Sequence, residues 1–130
     1  MAKKKILLVD DEKELREGLA ILLWAKGFEV FSAGDGEEGL NVAREVKPDL
    51  ILLDVMMPKM DGYTFAKQIK NEDSIRDTPI IVVTAKDKME DVFQLEGVKG
   101  YLVKPFGIGN LLFKIKEILG DDTQAESYPF

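Results

Sequence analysis

The chain has 130 residues, 45% of them hydrophobic, which suits one domain with a sizeable buried core. Its net charge is −6 at pH 7, which argues against nucleic-acid binding by this chain alone. It contains no cysteine and no histidine, so disulfides, thiolate and imidazole metal sites, histidine-based triads and phosphohistidine on this chain are excluded.

Lys3, Lys4 and Lys5 precede only four apolar residues before Asp10-Asp11-Glu12. That is too short for a signal peptide, and no apolar stretch has membrane-spanning length. A cytoplasmic protein is expected, without membrane insertion. Residues 4–9 read as a buried strand. Leu15, Leu19, Leu22 and Leu23 then recur at helical spacing, and Gly27 closes that helix. Residues 28–32 form a second strand and 37–46 a second helix, with Leu40, Ala43 and Val46 on its apolar side. Pro48 ends it.

Leu50 to Leu53 are uninterrupted apolar residues, as in a strand covered on both faces, and the run ends on Asp54. Pro58 and Asp61-Gly62 force a loop beyond it. Residues 62–70 read as a third helix carrying Phe65, Ala66 and Ile69. Residues 71–78 are a polar loop and 79–84 another buried strand. A short helix is expected over 88–96, ended by Gly97. A last strand covers 100–103 and a last helix 108–119, with Leu111, Leu112, Ile115, Ile118 and Leu119 as its stripe. Trp24 and Phe106 are expected to be packing residues rather than partner contacts. Residues 1–120 are expected to form the domain. Residues 121–130 read as a polar, mobile tail, with a docking peptide or the start of a linker as alternatives.

Five strands alternating with five helices through short connections predict an α/β fold, a parallel sheet with helices on both faces. In such a sheet every strand ends at the same edge, where open α/β folds bind ligands. Asp10 and Asp11 follow the first strand, Asp54 the third, Thr84 the fourth and Lys104 the fifth. Each has an ordinary reading as a helix start, a turn or a solvated surface group. All five being ordinary together is the weaker reading. Three packed carboxylates repel and need cations. Lys104 supplies one positive charge, and Mg²⁺ is the natural second where only oxygen ligands exist. Asp54 then suits a nucleophile that forms an acyl phosphate, with Thr84 and Lys104 placed to bind phosphoryl oxygens.

These motifs resemble the receiver domain of bacterial two-component response regulators. The likeness rests on Asp10-Asp11, Asp54 with Met57-Pro58 and Asp61-Gly62, Thr84-Ala85, and Tyr101 to Phe106 with Lys104-Pro105. It extends from Lys4 to about Leu119. It implies a flavodoxin-like (βα)5 fold with strand order 2-1-3-4-5. It implies that Asp54 accepts a phosphoryl group from a histidine kinase or a phosphotransfer protein. Asp11, Asp54 and the Met56 carbonyl would ligate Mg²⁺, with Asp10 acting through water. Thr84 would hydrogen-bond the phosphoryl group, Lys104 would pair with it, and Tyr101 would swing inward as Thr84 moves. Lys104-Pro105 would be cis, and Met56 and Lys86 would tune dephosphorylation. Such a domain is a switch, not an enzyme beyond its own phosphorylation and dephosphorylation.

The segment between Thr84 and Lys104 is shorter than the family usually has, which bears on the partner surface. With no output domain after Leu119, a stand-alone type is expected. It would bind an unknown downstream protein or relay the phosphoryl group, and a fragment of a longer protein is the alternative. Three other readings stay open. A Mg²⁺-dependent aspartate-nucleophile phosphatase would want a second Asp where Met56 stands. A nucleotide or flavin module would want a Gly-rich loop where Asp10-Asp11-Glu12 stands. A pseudo-receiver would bind partners without phosphorylation.

Overall fold

Ile6 to Val9, Leu50 to Leu53 and Ile80 to Val83 are continuous apolar runs, and each becomes an interior strand with both faces covered. The computed structural model describes residues 3–55, 60–85 and 97–120. Its strands are β1 (Lys5–Val9), β2 (Glu29–Ala33), β3 (Leu50–Asp54), β4 (Ile80–Thr84) and β5 (Val98–Val103). They form one parallel sheet in the order β2-β1-β3-β4-β5, the order implied by the resemblance. The helices among the described residues are α1 (Lys13–Ala25), α2 (Gly36–Val46), α3 (Gly62–Lys70) and α4 (Ile108–Leu119). The helix expected over 88–96 and the tail 121–130 lie outside the described residues.

Strand side chains alternate between two cores, as the pleat requires. Ile6, Leu8, Leu50, Leu52 and Val83 face Leu23 of α1 and Leu111 and Ile115 of α4. Leu7, Val9, Ile51, Leu53 and Val82 face Leu40 and Ala43 of α2 and Phe65, Ala66 and Ile69 of α3. Helices therefore cover both faces of the sheet, as the pattern of elements predicts.

Two local expectations are corrected. The last strand starts at Val98 rather than at residue 100, because Val98 pairs with Ile80 across an irregularity between Ile80 and Ile81. Trp24 is not a packing residue. It is 67% exposed, beside Ile21 at 71%. Leu23 faces the sheet, and the next helical residue is turned by about 100°, which carries Trp24 to the solvent side with Ile21 three residues earlier. Phe106 does pack against the α1/α4 core, as expected.

Among the described residues no helix is long and apolar enough to cross a membrane.

Candidate functional site

The chain runs from β1 outward to β2 on one side, then returns so that β3 lies on the other side of β1. The reversal leaves a crevice beyond the C-terminal ends of β1 and β3. Val9 pairs with Leu53, so the next residues, Asp10 and Asp54, meet in that crevice. Asp54 in turn pairs with Val83, and Thr84 with Val103. The Lys104 amide donates to the Thr84 carbonyl at 2.9 Å, which carries the ladder one residue further and sets Lys104 at the same rim.

The β1–α1 turn is held by its own polar groups. The Asp10 amide donates to the Ala33 carbonyl at 3.1 Å, and Arg16 Nη1 donates to the Asp10 carbonyl at 2.7 Å. The Glu12 amide donates to Asp10 Oδ1 at 2.9 Å. The Asp10 carboxylate is thereby oriented, with Oδ2 directed at Lys104.

Lys104 Nζ lies 2.9 Å from Asp10 Oδ2, 2.7 Å from Glu12 Oε1 and 3.3 Å from Asp54 Oδ2. Asp10 and Asp54 are buried, while Glu12 is open to solvent. Burial acts to lower the Lys104 pKa, but hydrogen bonds to Glu12 and Asp10 and the charges of Asp10 and Asp54 outweigh it and hold the ammonium well above the usual lysine range. Lys104 is therefore charged across the physiological range.

Carboxylate oxygens of Asp10, Glu12 and Asp54 come within 4.8 Å of one another. Asp11, expected beside Asp54, is exposed and stands outside this group. Glu12 takes part, a residue that the sequence did not single out. Its signal was present: it follows Asp10 by two residues at the N-cap of α1.

The side facing this cluster is shaped by Asp61 and Gly62. Asp61 Oδ1 accepts from the Thr64 amide at 2.8 Å and caps α3. The Gly62 amide donates to the Val55 carbonyl at 3.1 Å. A Cβ on Gly62 would stand 2.4 Å from Val55 Cα and 3.0 Å from the Asp54 carbonyl, so only glycine lets α3 begin this close to Asp54.

Thr84 is fully buried, and its Oγ1 has no hydrogen-bond partner among the described residues. An unsatisfied buried hydroxyl is costly unless a ligand completes it. Thr84→Val keeps the shape and removes that hydroxyl. It is expected to raise stability by about 1 kcal/mol in urea unfolding, by the usual penalty for such a group.

Tyr101 is half-buried and packs on the α2/α3 core next to Val82 in register. The Lys104–Pro105 peptide is cis. Met56 and Lys86 lie outside the described residues.

Magnesium suits this donor set. Among the described residues it consists of hard carboxylate oxygens within a few ångströms, two of the three side chains buried, with one ammonium in contact with them. Beside it, Glu12 and Lys104 form the polar end of a groove of about 490 Å³ between α1 and α4, whose walls include Leu15, Leu19, Phe106 and Ile108.

Known proteins share this fold. The family model described as the response regulator receiver domain matches residues 6–116. The alkaline phosphatase synthesis transcriptional regulatory protein PhoP of Bacillus subtilis is 44% identical over 118 residues, covering 89% of this chain and 48% of that protein. The chain spans about half the length of the curated relatives it matches. Among solved structures, the Thermotoga maritima response regulator TrrA in complex with Mg²⁺-BeF is 34% identical with a TM-score of 0.79, covering 88% of this chain and 98% of that one. The receiver domain of a Pseudomonas aeruginosa sensor histidine kinase, with a magnesium ion coordinated in its active site cleft, is 30% identical with a TM-score of 0.83, covering 91% and 98%.

Proposed function

The chain belongs to the response regulator receiver family of two-component signalling, and on that premise we propose that it is a switch thrown by phosphorylation of Asp54. The observation that carries this reading is the placement of Asp54. It is a buried carboxylate at the end of an interior strand, within 3.3 Å of a charged lysine and on the same rim as a buried hydroxyl that has no partner among the described residues. Receiver domains are signalling switches rather than conventional enzymes, and this chain shares their general role.

Asp54 is the nucleophile. A carboxylate oxygen forms the new bond to phosphorus, and the bond to the donor's leaving atom breaks with its electron pair. For a chain without histidine the physiological donor is a second protein, a histidine kinase or phosphotransfer protein. Asp54 would hold Mg²⁺ with Asp10 close by and acting through water, and the family resemblance adds Asp11 and the Met56 carbonyl as direct ligands. When bound, the ion offsets the carboxylate charge and the charge on the phosphoryl group in transfer. Lys104 pairs with a phosphoryl oxygen, and the Thr84 hydroxyl donates to another. Tyr101, on the neighbouring strand, follows Thr84 and transmits the change. Met56 and Lys86 tune dephosphorylation. Residues 1–120 act as the receiver unit, and a downstream protein reads the new surface. The B. subtilis relative is named a transcriptional regulator, so this switch is of the kind that can govern an output elsewhere in a longer protein.

Intact mass spectrometry tests the proposal. With Mg²⁺ and acetyl phosphate the chain gains one phosphoryl group that decays with time, and EDTA prevents it. No adduct, with no binding of beryllofluoride, would make the chain a pseudo-receiver. Rapid donor consumption without adduct would point to a phosphatase.

A further inference from the structure

The Lys104 ammonium has three N–H donors, and three carboxylates surround it. Asp10 and Glu12 stand at hydrogen-bond distance, and Asp54 is slightly longer at 3.3 Å. A phosphoryl group arriving on Asp54 brings new anionic oxygens to an ammonium that is already saturated. Asp54 passes its carboxylate charge to the phosphoryl group, whose first oxygen takes over the Asp54 contact at 3.3 Å, and a second oxygen reaches Lys104 only if one of the two remaining contacts is released.

The three partners differ in what release does to them. The side chains of Asp10 and Asp54 are 10% and 7% exposed, whereas that of Glu12 is 60% exposed. Of the two partners that remain carboxylates, Asp10 is buried, and losing its cation would leave its charge uncompensated. Glu12 returns to water, where an exposed ion pair gives up little. Its starting point is nevertheless fixed, since its amide is held by Asp10 Oδ1 and its carbonyl accepts from the Arg16 amide at 3.0 Å. Glu12 thus reaches Lys104 from a defined position, across 92 residues of sequence.

Resting on the receiver reading, we propose that Glu12 is a positioning residue that holds Lys104 in the resting state and is exchanged for the phosphoryl group. The exchange sets a threshold. A contact present only in the resting state weakens the phosphorylated state by whatever it contributes. It also alters the polar end of the groove between α1 and α4, which Glu12 and Lys104 share.

The test is a beryllofluoride titration at saturating Mg²⁺, followed by amide NMR, on wild type, Glu12→Gln and Glu12→Asp. Glutamine removes the charge. Aspartate keeps the charge at the mouth but is one methylene too short for the same contact. Both variants are expected to bind the analogue about 1.5-fold to fivefold more tightly than wild type, the scale of an exposed ion pair. Weaker binding by either variant would show that Glu12 holds the ion or the phosphoryl group, and would overturn the proposal. Unchanged binding, or tightening by glutamine alone, would overturn it too, the latter by reducing Glu12 to a general charge. Failure of wild type itself to bind beryllofluoride would instead overturn the receiver reading, and this one with it.

Discussion

Asp54→Asn is expected to abolish phosphoryl uptake from acetyl phosphate while leaving the fold intact. The amide has no anionic oxygen to attack phosphorus, and Asp10 and Glu12 cannot substitute. Asp10 Oδ1 accepts from the Glu12 amide and Oδ2 faces Lys104, while Glu12 stands in solvent at the mouth. The same substitution reports on the electrostatics. Among the described residues the cluster holds three carboxylates against one ammonium, so neutralising Asp54 relieves repulsion and gives up only the longest of the Lys104 contacts, at 3.3 Å. Stability in the absence of Mg²⁺ should therefore not fall, and should stay within about 1 kcal/mol of wild type. Parallel mass and urea-unfolding measurements check both halves. A phosphoryl adduct persisting in the variant would move the acceptor to another residue. Loss of adduct together with a large loss of stability would mean that Asp54 is a structural ion-pair partner.

Lys104→Met has the larger expected effect on stability. It leaves Asp10 and Asp54 buried and facing one another without the ammonium that contacts both. Breaking a buried pair from one side typically costs about 3–5 kcal/mol, because the remaining charge is uncompensated. The midpoint of urea unfolding should fall accordingly in EDTA. Added Mg²⁺ should then recover more stability in the variant than in wild type, since an ion that binds only the folded state stabilises it by mass action and here replaces the lost charge. Equal effects of Mg²⁺ on the two proteins would mean that ion and lysine act on separate carboxylates. Methionine retains most of the apolar stem, so a loss of packing alone is too small to mimic the expected change.

Much of this architecture was legible in the chain because its strands are of the least ambiguous kind. Leu50 to Leu53 and Ile80 to Val83 are apolar at every position, and only burial on both faces accommodates that. The residue that ends such a strand is delivered to the rim, which is why the strand pattern alone places Asp54 and Thr84 together. Strand order was not legible from periodicity and entered through family resemblance, since pairing depends on partners far apart in sequence.

The turn after β1 was where local reasoning ran out. Strand alternation ends at Val9, and helical periodicity begins only at Lys13. Between them, the directions of Asp10, Asp11 and Glu12 follow from hydrogen bonds to Ala33 and Arg16, on β2 and α1, and from the position of Lys104. Asp11 was accordingly expected in the cluster and stands outside it, while Glu12 was not expected and stands within it. Trp24 fell the same way. Hydrophobicity argues for packing, but the rotation of α1 is set by Leu23 against the sheet, and it leaves Trp24 in solvent.

By itself, then, the sequence determined the fold class and most of the residues that gather on the rim. Burial pattern and residue type are local properties: apolar runs make interior strands, and the lack of histidine and cysteine limits any metal to oxygen ligands. Only the tertiary structure decided which carboxylates share Lys104, that Thr84 is buried without a partner among the described residues, and which face of α1 meets water. Those outcomes depend on distances between groups as many as 92 residues apart, which packing of the sheet and its helices sets.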